Sequence, residues 1–326
     1  MKSKIERDFA TAIRGAYESK SALLLGNGIN RVNPMSLSRD DLLKSLIEKS
    51  GLQNVRTGTK PLTFLFEELS HKMEIKEKGA TRSNVQQLKE IVRKQIEEKL
   101  SSGTIHKEFM KLPIENILTT NYDYCLEKAI DETFSRKNML NDKPEGPDKK
   151  YSLYRCNKVN DRYIWHIHGE LDNGLSLKKT YPEHSIMLGF DQYMIYIESI
   201  VKYFKSADYK KELEQKESKS CRRAWIPLLF THNIHIIGLD LGMFETHLWW
   251  LLNFRAVLSV RQNCISNKIT YYVPSYELLM KRDQLEMLQS LKVDIEEVPC
   301  AFNNGNFYSG FYEEVFKKLK KELNTE

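Results

Sequence analysis

Nowhere in this 326-residue sequence do two cysteines stand in a CxxC spacing. Cys125, Cys156, Cys221, Cys264 and Cys300 are odd in number and far apart, which argues against a disulfide framework and against a Cys-rich zinc site. Missing too is any apolar run long enough to cross a bilayer, and the opening Met1-Lys2-Ser3-Lys4-Ile5-Glu6-Arg7-Asp8 lacks the apolar stretch of a secretory signal. A cytoplasmic chain with no membrane segment is the expectation. No long block of one charge occurs either. The formal net charge is only +6, and basic residues alternate with acidic ones, as in Lys210-Lys211-Glu212 and Lys216-Glu217-Ser218-Lys219. A nucleic-acid interface concentrates positive charge on one face or tail, and only the short cluster Lys317, Lys318, Lys320 and Lys321 does so here; nucleic acid is not the expected partner. Internal repeats and low-complexity tracts are lacking as well.

What is present is an ordinary globular composition, 41% apolar and 29% charged, with enough residues to bury a substantial core. Short apolar runs recur at Ala22 to Leu25, Ile117 to Thr119, Tyr163 to Ile167, Ile234 to Ile237, Ile269 to Val273 and Val293 to Val298, separated by helical patterns. Buried parallel strands read this way. The expected fold is α/β, a Rossmann-like doubly wound parallel sheet of about six strands forming one domain over 1–326. Helical insertions follow the first strand (about 31–110) and the third (about 172–226). Within them, Ser38-Arg39-Asp40-Asp41 opens a periodic stretch closed by Gly51, residues 82–100 alternate in charge, and Asp191-Gln192-Tyr193 opens an apolar helix. Lys205 to Lys219 is expected as a solvated helix rather than a lid, and Asn138 to Lys150 as the most flexible loop.

Four strand ends carry chemistry. The first is Leu25-Gly26-Asn27-Gly28-Ile29-Asn30, where glycines either let the backbone approach a pyrophosphate or simply make a tight turn. Arg31 occupies the third glycine position of a dehydrogenase-type GxGxxG, so that fingerprint fails. The second is Thr119-Thr120-Asn121-Tyr122-Asp123. Asn121 suits a water or a ribose hydroxyl and Asp123 suits a developing positive charge; alternatively the segment is a turn with Asp capping the next helix. The third is Trp165-His166-Ile167-His168-Gly169-Glu170. Strand alternation puts both histidines on one side, with His168 nearer the carboxyl edge as a general base and His166 as a structural histidine. No third ligand lies at a recognisable spacing, so no metal is expected. The fourth is Gly238-Leu239-Asp240-Leu241-Gly242, followed by Glu245-Thr246-His247-Leu248-Trp249-Trp250, a helix apolar nearly all round whose tryptophans belong to the core.

Taken in order, Gly-x-Gly, Thr-x-Asn-x-Asp, His-Gly and Gly-x-x-Leu resemble the motifs of the sirtuin family, and in particular of the bacterial sirtuin-like proteins of antiphage defence. The resemblance runs from Leu23 to about Leu252. It implies that Asn121 and Asp123 match the Asn and Asp of the TQNID motif beside the nicotinamide ribose, with Thr120 in place of Gln, and that His168 matches the catalytic histidine. It further implies NAD+ contacts from Gly26, Asn27, Gly28, Ile29 and Asn30, from Thr120 and Gly169, and from Gly238, Leu239 and Asp240. Three departures stand out: no CxxC pairs for a deacetylase zinc module, Asn30 for the Ser of the first turn, and Asp240 for the Ser of the last. A carboxylate at 240 would repel a pyrophosphate, although it can accept hydrogen bonds from ribose hydroxyls.

The resemblance thus implies NAD+ as substrate and hydrolysis to nicotinamide and ADP-ribose, in antiphage defence by NAD+ depletion, with a homo-oligomer or a defence partner controlling it. The alternatives are a non-catalytic NAD- or ADP-ribose-binding scaffold subunit, and ADP-ribosyl transfer or deacylation.

Overall fold

The computed structural model describes residues 2–33, 37, 39–52, 55–58, 60–76, 84–135, 153–171, 186–206, 208–214, 223–242, 245–300 and 307–323. The loop Asn138 to Lys150, the start of the second insertion and Lys216 to Lys219 lie outside them. Among the described residues there are seven strands: β1 (Ser21–Leu25), β2 (Asn116–Thr119), β3 (Cys156–Val159), β4 (Arg162–His166), β5 (Asn233–Ile237), β6 (Ile269–Pro274) and β7 (Asp294–Val298). They form one sheet in the order β3-β4-β2-β1-β5-β6-β7. Every pairing is parallel except β3 with β4. The six expected strands are all there. The seventh, β3, is a short antiparallel edge strand.

Strand alternation divides the core between two faces. Ala22, Leu24, Leu118, Trp165, Ile234, Ile236 and Tyr271 point into one layer. There they meet α1 (Lys2–Ile13), α7 (Phe190–Lys205), α8 (Asp208–Glu214), α9 (Leu228–Thr231), α10 (Thr246–Gln262) and α11 (Arg282–Ser290). Leu23, Leu25, Ile117, Ile164, Ile237 and Tyr272 point into the other, against α5 (Thr104–Phe109), α6 (Cys125–Ile130) and α12 (Phe307–Glu322). A sheet buried on both faces is the physical reason its strands read as continuous apolar runs.

The first insertion folds as α2 (Arg39–Lys49), α3 (Leu62–Lys76) and α4 (Asn84–Lys99), with α5 returning to the sheet. Leu46, Phe66, Leu69, Leu88 and Val92 make its own core, which reaches the strand-end loops through Tyr124, Leu171, Ile186 and Leu188. Gly51 has φ 68°, a conformation that glycine adopts without a Cβ penalty and that suits a helix end. In the second insertion α7 opens at Gly189, whose backbone N–H donates to Gln192 Oε1. The helix α8 is less solvated than its charge suggests. Tyr209 is buried against Phe9, and Glu212 accepts hydrogen bonds from the Tyr203 hydroxyl and the Ala224 amide.

Because β1 pairs with β2 on one side and β5 on the other, the chain winds outward in both directions from it. That reversal opens a crevice at the carboxyl ends of the strands, the usual ligand position in such sheets. All four motifs end there.

Candidate functional site

The turn after β1 is a 3-10 helix (Asn27–Val32) in which Asn30 is fully buried. Asn30 joins two of the motifs. Its Nδ2 donates to Asp123 Oδ2 and to Asn27 Oδ1, both at 2.8 Å. Its Oδ1 lies 2.9 Å from His106 Nε2. The Gly103 amide donates to His106 Nδ1, so the proton of this neutral imidazole sits on Nε2 and is donated to Asn30. Burial lowers the pKa of His106, against the opposing pull of Asp123, and favours that neutral form. His106, on α5, had drawn no attention in the sequence because its partner lies 76 positions away.

Asp123 is 6% exposed and its second oxygen accepts the Cys125 amide, capping α6. The structural reading of that residue therefore holds alongside any functional one. Asn121 is 5% exposed. Its amide nitrogen donates to the Gly26 carbonyl at 3.4 Å, whereas its Oδ1 is buried with no hydrogen-bond partner among the described residues. Thr120 is half-buried beside it and donates its backbone N–H to Leu25 O.

The glycines of the first and fourth motifs pack on each other. A Cβ at Gly26 would meet the Gly238 carbonyl and the Leu239 backbone, and one at Gly28 would strike the Tyr312 hydroxyl and the Gly238 backbone. Gly238 has φ 64°. The Gly26 and Gly28 amides donate to the Ile237 and Gly238 carbonyls, and the Ile29 amide to Gly26 O. In this turn the missing side chains thus make room for the protein's own backbone, and these amides are spent internally. Asn27 is exposed and Ile29 is buried below it.

Asp240 is exposed, and its carboxylate pairs with Lys281 Nζ at 2.8 Å. Gln284 donates to the Asp240 and Leu241 carbonyls, and the Tyr271 hydroxyl to Leu239 O. The lysine offsets the charge that would otherwise repel a pyrophosphate.

His166 and His168 do not share a side. The strand stops at His166, the Gly169 amide donates back to His166 O, and Gly169 takes φ 84°. This turn carries His168 into the opposite layer. His166 faces α6: its Nδ1 lies 2.8 Å from Asn121 O and its Nε2 2.7 Å from Glu127 Oε1. Both partners are acceptors, so both ring nitrogens carry protons and His166 is an imidazolium. Burial opposes that charge, but Glu127, Glu170 and the Asn121 carbonyl hold its pKa up at about 9. The network extends outward, with Asn157 donating to Glu127 and Glu170 and Arg155 donating to Glu170.

His168 is 4% exposed and lies among rings. Its Nε2 is 3.1 Å from His247 Nε2, and its Nδ1 is 3.5 Å from the Tyr193 hydroxyl. Tyr196 packs edge-on against His247. Burial pushes the His168 pKa down to about 3, so it is neutral at physiological pH. Among the described residues its imidazole makes no hydrogen bond to the Asn121 or Asp123 side chains. The loops carrying these residues do run side by side: the Ile167 amide donates to Thr119 O and the Leu171 amide to Tyr122 O. A cleft of about 490 Å³ opens beside Asp123, between Ile96 of α4 and Leu100 just beyond its end on one side and Cys125 and Lys128 of α6 on the other. No group of three metal-ligating side chains occurs among the described residues, and no helix described is long and apolar enough to cross a membrane.

No curated protein matches the chain. Residues 115–231, from just before β2 through α9 and including Asn121, Asp123 and His168, match the family model of the SIR2-like domain, which supports a sirtuin-like family and an NAD-related function.

Proposed function

We propose that this chain, acting as one domain over 1–326, binds NAD+ at the carboxyl edge of the sheet and hydrolyses its nicotinamide–ribose bond. The observation that carries the reading is Asn121 Oδ1, a buried acceptor with no partner among the described residues, at a strand end inside the SIR2-like segment. A buried polar atom left unpaired is costly, and a water or ribose hydroxyl would satisfy it. The Gly26–Asn30 turn, Thr120, Gly169 and Gly238, Leu239 and Asp240 frame the same crevice. No metal is required.

Water held by Asn121 attacks the ribose carbon as the carbon–nitrogen bond breaks, and the bonding pair leaves on the nicotinamide nitrogen, cancelling its charge. His168 takes the water's proton and passes it to solvent, so that NAD+ and water give ADP-ribose, nicotinamide and a proton. The pyridinium leaves readily, so a weak base suffices. Asp123, braced by Asn30 and the Cys125 amide, opposes the positive charge that grows on the ribose. Nicotinamide and ADP-ribose should accumulate when NAD+ is incubated with the protein, and His168→Ala and Asn121→Ala should each slow this about 10²-fold. Undiminished turnover in both variants would sink the assignment.

A second reading, a scaffold that binds NAD+ or ADP-ribose without cleavage, draws on the Gly26 and Gly28 amides being spent internally. Tight NAD+ binding without nicotinamide release would establish it. ADP-ribosyl transfer or deacylation would instead give a labelled protein or acetyl-ADP-ribose when an acceptor is supplied. On the resemblance of the four motifs, the proposed role is antiphage defence by NAD+ depletion in the cytoplasm. An unrestrained enzyme would harm its own cell, so assembly or a partner should switch it on; equal turnover by a resting monomer counts against that role.

A further inference from the structure

His247 opens α10 from within a wholly buried aromatic setting, between Tyr193 and Tyr196, with its Nε2 facing His168 Nε2 at 3.1 Å. A nitrogen–nitrogen contact of that length needs one proton between the rings, and there are two ways to place it. If His247 donates, the His168 Nε2 lone pair is consumed, its proton lies on Nδ1, and the ring has no lone pair for a base to use. If His168 donates, its Nδ1 lone pair is left over. The Tyr193 hydroxyl, 3.5 Å from Nδ1, is too distant to occupy it firmly. Only the second arrangement is compatible with His168 as a base.

Resting on the hydrolase reading above, we propose that His247 is a positioning residue that accepts the His168 Nε2 proton and so keeps His168 Nδ1 bare to receive the proton of the attacking water. The arrangement carries a cost, because a His247 that accepts at Nε2 keeps its own proton on Nδ1. His247 Nδ1 is buried with no hydrogen-bond partner among the described residues. A phenylalanine would fill the same aromatic pocket without burying a polar atom, and such unsatisfied groups call for a reason beyond packing. When His168 gains its proton, the bond to His247 becomes charge-assisted and shortens, which stabilises the cation at the moment it forms. An uncharged acceptor in place of a carboxylate keeps the pocket neutral at rest.

The test uses the full chain and two variants, His247→Phe and His247→Gln. Phenylalanine removes the acceptor, whereas the glutamine carbonyl can still accept the His168 proton. For nicotinamide release, His247→Phe should lower kcat about 10²-fold with KM for NAD+ changed less than about 3-fold, and His247→Gln should keep kcat within about 10-fold of the parent. Imidazole nitrogen resonances, read without substrate, should show His168 protonated on Nε2 in the parent and a mixture of tautomers in His247→Phe. A parent His168 protonated on Nδ1, or a folded His247→Phe with undiminished kcat, would overturn the proposal. If the parent releases no nicotinamide at all, the hydrolase reading fails, and the role of His247 in that reaction falls with it. The tautomer then still decides the pairing itself.

Discussion

On the α6 side of the sheet His166 is enclosed by Glu127, Glu170, Asn157 and Arg155, whereas on the α7 and α10 side His168 lies among Tyr193, Tyr196 and His247, with no charged partner in hydrogen-bonding contact among the described residues. One residue separates the two histidines. Both are buried to a similar degree, so burial alone does not decide their charge; the neighbours do. The cation fixes the Asn121 carbonyl, and the neutral ring is the one that the proposed hydrolysis would use as its base. One short strand end thereby supplies two different chemical roles.

The sharpest way to break this contrast is Glu127→Ala, which strips the counter-charge from the imidazolium. Removing one member of a buried ion pair costs about 3–5 kcal/mol, so the urea unfolding midpoint should fall sharply. Little or no fall would show that His166 is neutral. Next in size is Asn157→Leu, which takes away the amide shared by Glu127 and Glu170; a loss of about 1–3 kcal/mol is expected in the same measurement.

Stability against pH separates the two sides by sign. His166 has its folded pKa raised from 6.5 to about 9, so its contribution is complete below 6.5 and is lost as pH rises through 9. His168 is depressed from 6.5 to about 3, so its contribution is present above 6.5 and is lost as pH falls toward 3, in company with the buried His106, His232, His235 and His247. Denaturation midpoints across this span should show Glu127→Gln flattening the alkaline loss while sparing the acid one. The smallest effect belongs to Tyr193→Phe. Its hydroxyl bonds to the Tyr122 side chain and makes only a long contact with His168, so a loss of about 1 kcal/mol is expected; a changed His168 tautomer in this variant would mean that the tyrosine holds the ring in place.

The strands other than β3 were legible because the sheet is covered on both faces and most of its positions are apolar. β3 was not: Cys156-Asn157-Lys158-Val159 lies at the sheet edge, where Lys158 is exposed, and no apolar run marks it. Asn121, Asp123 and His168 could be placed at strand ends from the motifs alone, yet their grouping could not. His168 was expected beside His166 by alternation, and the Gly169 turn sends it to the other layer. Asn30 was noticed only as a departure from Ser. Its role as the bridge to Asp123 depends on a partner 93 residues away. His247 stood in plain view in the fourth motif, a polar side chain directly before the apolar run Leu248 to Leu252, and that incongruity was the available signal.

The close packing of Gly26 and Gly28 on Gly238 has a consequence for how such a chain can change over generations. At each of the three positions an added methyl group meets backbone as well as any side chain, so trimming Tyr312 to phenylalanine would not make room. No single exchange at these sites is a small step, and a lineage would have to rebuild both turns together or leave them alone. The three positions should therefore be inherited as a block, even where the surface of α12 drifts freely.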